Sequence, residues 1–484
     1  MNSSKTEKHR MVPMGIVFPF ILLTSLFFIW AVPNNMTDTM LAAFKRIMSM
    51  NDTQTAWIQV VCYLLGYGFF ALPGAIFIKK HTFKSGVLLG LILCITGCLL
   101  FYPAMMANNI SSPLSFASYL FAIFVLFAGL SVLETSTNAY VYALGDSETA
   151  TRRLNFSQSF NPFGALTGVM VSQIYVLSQL NTKTASERAL LTDIDLVTIQ
   201  NNELKAVSTA YLILGLVMLV IMLLILFTKM PKVHEDNKSL NLKATFKRLT
   251  KNKNYVWGVL AQFFYVGAQI AVWSFIIRYA MQELKFDDVI ASLGANPTSD
   301  AIITALRGVE PVAGSFYSFV EWLGIDTLLP RTAEQAGATY YILSLILFVI
   351  GRFVCTWLMR YIKPVNLLSI FAILALLYSF LAIYTDGFAG VYALTGISGC
   401  MSLMFPTIYG IGMKGLGEDT KIGGSGMVMA IAGAALLTQL QGILSDHSGS
   451  IKFAYWIPAL AFAFITFYSL TVARNSKMQS ALEE

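Results

Sequence analysis

Apolar stretches of about twenty residues recur along this chain, and each is long enough to cross a bilayer as a helix. Twelve are expected, at roughly 14–45, 54–79, 84–104, 114–144, 153–178, 206–229, 254–283, 338–360, 365–385, 388–414, 422–445 and 452–473. Of 484 residues, 56% are hydrophobic and only 12% charged. Soluble chains carry about twice that charged share. The expected fold class is an all-α polytopic membrane protein. A transmembrane β-barrel would show alternating segments of about ten residues, and the sequence has none. The formal net charge of +7 would suggest nucleic acid in a soluble protein. Here the basic residues fall in loops, so topology accounts for them and no nucleic-acid partner is expected.

Those loops set an orientation. Lys5, Lys8 and Arg10 precede span 1; Lys79, Lys80 and Lys84 join spans 2 and 3; Arg152 and Arg153 join spans 4 and 5. Arg360 and Lys363 join spans 8 and 9, and Arg474 and Lys477 follow span 12. With twelve spans all of them lie on one side, which places both termini in the cytoplasm. The expected layout is a six-helix half over 1–229, a basic cytoplasmic linker over 230–253, a second six-helix half over 254–473 and a cytoplasmic tail over 474–484. Paired halves of this kind are a transporter plan. One external loop, 284–337, is long and acidic, with seven carboxylates against three basic residues. Within it SFYSFVEWLGIDTLL is expected to form a short helix at the outer mouth. The five cysteines all lie inside apolar spans and read as small packing residues. The N-terminus has no signal-peptide pattern.

Polar side chains inside these spans carry the functional information. An aspartate at the centre of a membrane helix costs at least ~2.5 kcal/mol on insertion scales, so such groups face a partner or a cavity. WAVPNNMTDTM, residues 30–40, places Asn34 and Asn35 four and three residues before Asp38, on one side of a helix. The amphipathic pattern continuing to Lys45 favours a long helix with Asp38 inside it over a short span ending there. In span 4, SVLETSTNAYVY puts Glu134 and Asn138 four apart, after some twenty apolar or small residues. Span 5 carries Asn155, Gln158 and Asn161 at intervals of three, and Pro162 and Gly164 then loosen its helix. Span 7 carries Gln262, Tyr265, Gln269 and Trp273 in one stripe. Helix–helix hydrogen bonding explains any one such amide, but four stripes together suit a binding site.

Amides and carboxylates hydrogen-bond hydroxyl groups as donors and acceptors. Trp30, Tyr265 and Trp273 offer faces on which a pyranose can stack. No arginine cluster waits for a phosphate, so the expected partner is a small neutral sugar. Two deep carboxylates also suit proton coupling, because loss of water favours the protonated form of a carboxyl group. The expected mechanism is alternating access, with Glu134 as the main proton carrier and Asp38 binding sugar hydroxyls and tuning Glu134. The other expected substrate-binding residues are Trp30, Asn34, Asn35, Asn138, Gln158, Asn161, Gln262, Tyr265, Gln269 and Trp273. Arg352 is expected either to pair with a carboxylate or to hold helices together. No cofactor is expected beyond the coupling proton.

The segments WAVPNNMTD, GCLLFYPA, LETSTNAYVYALG, RRLNFSQSFNPFGAL, AQFFYVGAQIAVWSFIIRYA and MFPTIYGIGMKGLGEDTKIGGS resemble the L-fucose–proton symporter family, the fucose, glucose and galactose branch of the major facilitator superfamily. The resemblance runs through all twelve spans and implies the major facilitator fold. It implies that Asp38 and Glu134 are needed for coupled transport, that Gln158 and Asn161 line the pocket, and that Trp30 is the tryptophan of span 1. Span 7 is closer to the fucose permeases, which implies L-fucose as the substrate, in the inner membrane of a bacterium. Pro33 departs from the family pattern, as does the length of the 284–337 loop.

Three other readings compete. A sister permease for glucose, galactose or an amino sugar, sodium-coupled or not, would use the same amides. A membrane enzyme lacks support, because the four histidines are scattered in tails and loops without metal-ligand spacing. A transporter-like sugar sensor would need a signalling segment larger than 230–253. A monomer is expected.

Overall fold

The computed structural model describes residues 11–48, 58, 60–176, 179–181, 188, 190–231, 233, 241–293, 299–309, 311–324, 329–330 and 333–483. Among these the regular elements are helices. Eleven are long and apolar enough to cross a membrane. The expected fifth span is missing from that set because its helix is divided. It consists of Ala150–Gln158 and Asn161–Val171, followed by a π-helical turn, Ser172–Val176. Pro162 lacks the backbone N–H needed to continue the first helix and starts the second instead.

The chain divides into two compact units, Met1–Phe263 with Pro406–Ala435, and Phe264–Phe405 with Leu436–Glu484. In the first unit, α1 (Val17–Ile47) is one 31-residue helix running through Pro33. It bears out the long helix expected around Asp38, whose side chain lies outside the described residues. A π-helix, Val60–Phe69, runs into α2 (Phe70–Lys80). Then come α3 (Phe83–Ala107), α4 (Ser112–Ala143), α5 (Ala150–Gln158), α6 (Asn161–Val171) and α7 (Asp193–Phe227).

Small residues set how closely these helices approach. A Cβ on Gly90 would stand 2.7 Å from the Leu133 nitrogen, and one on Gly97 would stand 2.5 Å from that of Leu126. Glycine therefore lets the backbone of α3 lie on that of α4, the usual device where lipid removes any hydrophobic drive between helices. Gly164 and Gly168 of α6 likewise lie against the Phe28 and Val32 carbonyls of α1. All five cysteines are free and buried, as packing residues.

Two buried charges depart from the loop reading of basic residues. Arg153, with 0% exposure, donates from Nε to the Val141 carbonyl (2.8 Å) and from Nη2 to that of Tyr142 (2.7 Å). It caps the last carbonyls of α4, where a cation also complements the helix dipole. Arg188 and Glu203 form an ion pair with a 2.5 Å contact, each side chain 1% exposed. Glu203 precedes the expected start of span 6 because α7 extends back to Asp193 as a polar helix. The Thr192 side chain caps it, accepting from Asp195 N. Hydropathy does not register that polar extension.

The 230–253 segment contains α8 (Leu242–Lys251), capped by the Asn241 side chain accepting from Ala244 N. Its Arg248 donates to both Asp419 carboxylate oxygens at 2.7 Å. α9 (Lys253–Leu284) follows. Among its described residues the 284–337 segment holds three short helices, α10 (Phe286–Ala291), α11 (Ser299–Val309) and α12 (Pro311–Trp322), where one was expected. Tyr317 of α12 shares a 3.0 Å hydrogen bond with Thr339, which fixes it to α13 (Ala333–Leu358). The remaining helices are α14 (Pro364–Tyr384), α15 (Phe388–Met401), α16 (Met404–Met413), α17 (Thr420–Met429), α18 (Gly433–Ser448), α19 (Ile451–Ala454) and α20 (Trp456–Glu483).

Candidate functional site

Glu134 sits in the middle of α4, where every residue from Leu126 to Val141 is buried. It is 5% exposed. A carboxyl group held there needs hydrogen-bond partners. Tyr67, from the π-helix, lies within hydrogen-bonding reach of it. Asn138, one turn further along α4, lies near it with its Nδ2 making no hydrogen bond among the described residues. Asn138 is 0% exposed, and its Oδ1 accepts from Gln158 Nε2 at 3.0 Å. On the other side Tyr67 accepts from Asn34 Nδ2 at 2.9 Å. Side chains from α1, the π-helix, α4 and α5 thus gather, Asn34, Tyr67, Glu134, Asn138 and Gln158, around a single buried carboxyl group.

Four of the expected site residues, Asn34, Glu134, Asn138 and Gln158, are brought together here. The fifth member, Tyr67, was not expected. In CYLLGYGFF a tyrosine reads as an aromatic packing residue. The one available signal was the glycine on either side of it, which marks close helix contact.

The three amides of span 5 do not keep one face. The break after α5 turns Asn161 away, and its Nδ2 donates to the Phe27 carbonyl at 3.2 Å. Asn155 Nδ2 donates to the Thr151 carbonyl (2.9 Å) and to Thr407 Oγ1 (3.2 Å). Asn35 Nδ2 donates to the Ala31 carbonyl of its own helix (2.9 Å). Trp30, 2% exposed, packs on Phe27 with ring centroids 4.3 Å apart. Among the described residues, several buried polar atoms of this unit make no hydrogen bond. They include Asn34 Oδ1, the Tyr409 hydroxyl and both amide atoms of Gln262. Gln262 has 0% exposure. An unpaired buried donor or acceptor costs about 1–3 kcal/mol, so these atoms suit a polar ligand.

In the second unit, Tyr265 and Trp273 find partners within the protein. The Tyr265 hydroxyl donates to the Met401 carbonyl at 3.0 Å. Trp273 Nε1 donates to Ser398 Oγ at 3.1 Å, and its ring meets Phe348 edge-on with centroids 5.1 Å apart. Gln269 is half-buried beside them in sequence. Arg352, 4% exposed, donates from Nε to the Ser402 carbonyl at 2.7 Å and lies over the Phe348 ring. It therefore joins α13 to the turn after α15. Gln441 of α18 is fully buried with neither amide atom hydrogen-bonded. The sequence reading missed it, because a single glutamine in TQLQGILSD forms no stripe. Among the described residues, no group of three metal-ligating side chains occurs.

Comparison with known proteins gives a consistent result. The family model described as Major Facilitator Superfamily matches residues 20–437. An L-fucose-proton symporter of Haemophilus influenzae is 34% identical, the match covering 97% of this chain and 98% of that protein. Its counterpart in Escherichia coli is 33% identical over 96% and 97%. A glucose/galactose transporter of Brucella abortus is 28% identical over 95% of each chain. The crystal structure of the transporter FucP in its outward conformation superposes with a TM-score of 0.77 at 33% identity, covering 94% of this chain and 99% of that one.

Proposed function

The chain belongs to the fucose, glucose and galactose permease family of the Major Facilitator Superfamily, and on that premise we propose that it is a proton-coupled sugar importer with L-fucose as its substrate. The observation that carries the reading is Glu134, a buried carboxyl group among sugar-competent amides and a phenol. A carboxyl group removed from water and held by neutral partners can gain and lose a proton without gross rearrangement, which a symporter requires. The amides beside it present donors and acceptors suited to sugar hydroxyls. Two relatives above 30% identity, both L-fucose-proton symporters, suggest the sugar and the ion.

In this reading the protein works by alternating access. Glu134 carries the proton, and Asp38 binds sugar hydroxyls and tunes Glu134. The sugar site draws on Trp30, Asn34, Asn35, Asn138, Gln158 and Asn161, and from span 7 on Gln262, Tyr265, Gln269 and Trp273. Gln262 is the strongest of the span 7 group, since its buried amide has no other partner among the described residues. The functional halves are 1–229 and 254–473, joined by 230–253, with a tail at 474–484. The protein lies in the inner membrane of a bacterium as a monomer, with both termini in the cytoplasm.

A glucose or galactose permease is the second reading, favoured by the Brucella abortus relative. Uptake into proteoliposomes tests both. An imposed inward proton gradient is expected to drive L-fucose accumulation. Glu134→Gln is expected to abolish accumulation while leaving L-fucose exchange across the membrane. Accumulation of glucose or galactose but not L-fucose would shift the assignment to the second reading. Accumulation driven only by sodium would remove the proton from it.

A further inference from the structure

We propose that Tyr67 is a positioning residue that links sugar occupancy at Asn34 to protonation of Glu134. The inference rests on the symporter reading above and adds to it a residue that reading does not name.

The geometry fixes the phenol closely. Tyr67 lies on the π-helix Val60–Phe69, and π turns inside longer helices are frequent at functional sites because they re-aim a side chain. A Cβ on the preceding residue, Gly66, would stand 2.6 Å from Phe127 Cβ, so glycine there brings the π-helix onto α4. Ser131 Oγ of α4 donates to the Tyr67 carbonyl at 3.3 Å. The Tyr67 ring meets Phe127 edge-on and stacks on Tyr63. The side chain is 1% exposed. Its hydroxyl is thereby held between Asn34 on α1 and Glu134 on α4. The other titratable groups that interact with this pair are Cys94 of α3 and Tyr409 of α16.

A hydroxyl group both donates and accepts, and its proton turns about the C–O bond without bond breakage. With Glu134 ionised, the carboxylate accepts a hydrogen bond from the phenolic O–H, and the Tyr67 oxygen accepts from the Asn34 amide. Protonation of Glu134 gives that carboxyl a donor of its own. The phenolic proton is then free to turn toward Asn34 Oδ1, which makes no hydrogen bond within the described protein, and the Asn34 NH2 group is released toward a sugar hydroxyl. No proton leaves Tyr67 in this step; the one gained by Glu134 comes from the aqueous side. Sugar and proton binding are linked reciprocally through this switch.

Calorimetric binding of L-fucose to the purified full-length protein at pH 6 and pH 8 tests it. The unaltered protein is expected to bind about 5- to 150-fold more weakly at pH 8, the usual span of coupling between two sites. In Tyr67→Phe the ratio is expected to shrink below about 2-fold, with the pH 6 affinity kept within about 3-fold, a pattern that general damage to the fold does not produce. A ratio in Tyr67→Phe equal to that of the unaltered protein would overturn the proposal. Ser131→Ala, which loosens the phenol without touching its hydroxyl, is expected to give an intermediate ratio, and an unchanged ratio there would count against the fixed phenol. Should the unaltered protein bind L-fucose equally at both pH values, symport itself fails, before any variant is measured.

Discussion

The polar side chains of the two units are used differently. In the first unit they reach one another: Asn34, Tyr67, Glu134, Asn138 and Gln158 come from four helical segments and meet around one carboxyl group. In the second unit three of the conspicuous ones reach the backbone, and Trp273 reaches the Ser398 side chain. Tyr265 donates to Met401, Arg352 to Ser402 and Tyr279 to Ala382, each at a carbonyl oxygen. A side chain bonded to backbone fastens one helix to another. A side chain bonded only to other side chains can change partner when a proton or a ligand arrives. On the symporter reading, proton handling belongs to the first unit, while in the second the hydrogen bonds of Tyr265, Arg352 and Tyr279 fasten helices to one another.

Four substitutions can break or sharpen this contrast. Glu134→Gln has the largest expected effect: gradient-driven accumulation of L-fucose falls to the equilibrated level while exchange persists, as read in proteoliposomes. Gln262→Leu comes next. It removes two unpartnered buried polar atoms, so thermal unfolding is expected to show a gain of about 1–3 kcal/mol. L-fucose affinity is expected to fall by about tenfold, equivalent to roughly 1.4 kcal/mol. A gain in stability with unchanged affinity would remove Gln262 from the sugar site. Tyr265→Phe leaves the Met401 carbonyl unpaired, and a stability loss of about 1 kcal/mol is expected with transport nearly unchanged. A collapse of L-fucose transport in that variant would show that the Tyr265 hydroxyl, and not its ring face alone, serves the sugar site. Trp273→Phe has the smallest expected effect, since it removes one hydrogen bond to Ser398 and keeps an aromatic ring against Phe348. Its unfolding midpoint is expected to drop slightly, with uptake retained.

Much of this arrangement was legible in the sequence. Glu134 stands out because a carboxylate after some twenty apolar residues has few structural uses. Asn138 follows from helical spacing, and Gln158 from its stripe. The break in the fifth span was signalled by Pro162 and Gly164, although its consequence was not. Spacing at three predicts one face only while the helix continues, and the interruption at Ser159–Phe160 sends Asn161 to a different neighbour, the Phe27 carbonyl, from those of Asn155 and Gln158. Tyr67 was hidden for two reasons. Tyrosine in an apolar span resembles packing, and a π turn shifts the phase on which helical spacing relies. Arg153 and Glu203 were hidden because charges near span ends read as loop residues. Their burial depends on carbonyls and partners brought from elsewhere in the chain. The 284–337 segment was read as holding one helix because one apolar run dominates it; α11, which carries Asp300 and Arg307, has too little apolar length to attract notice.

The central claim, that Glu134 carries a proton in company with the sugar, is tested most directly by external pH. L-Fucose, D-glucose, D-galactose and N-acetylglucosamine are added in turn to a lightly buffered suspension of energy-depleted cells expressing the protein. The account predicts alkalinisation on addition of L-fucose and none in cells carrying Glu134→Gln. Alkalinisation that persists in Glu134→Gln, or no pH change with any of the four sugars, would contradict it.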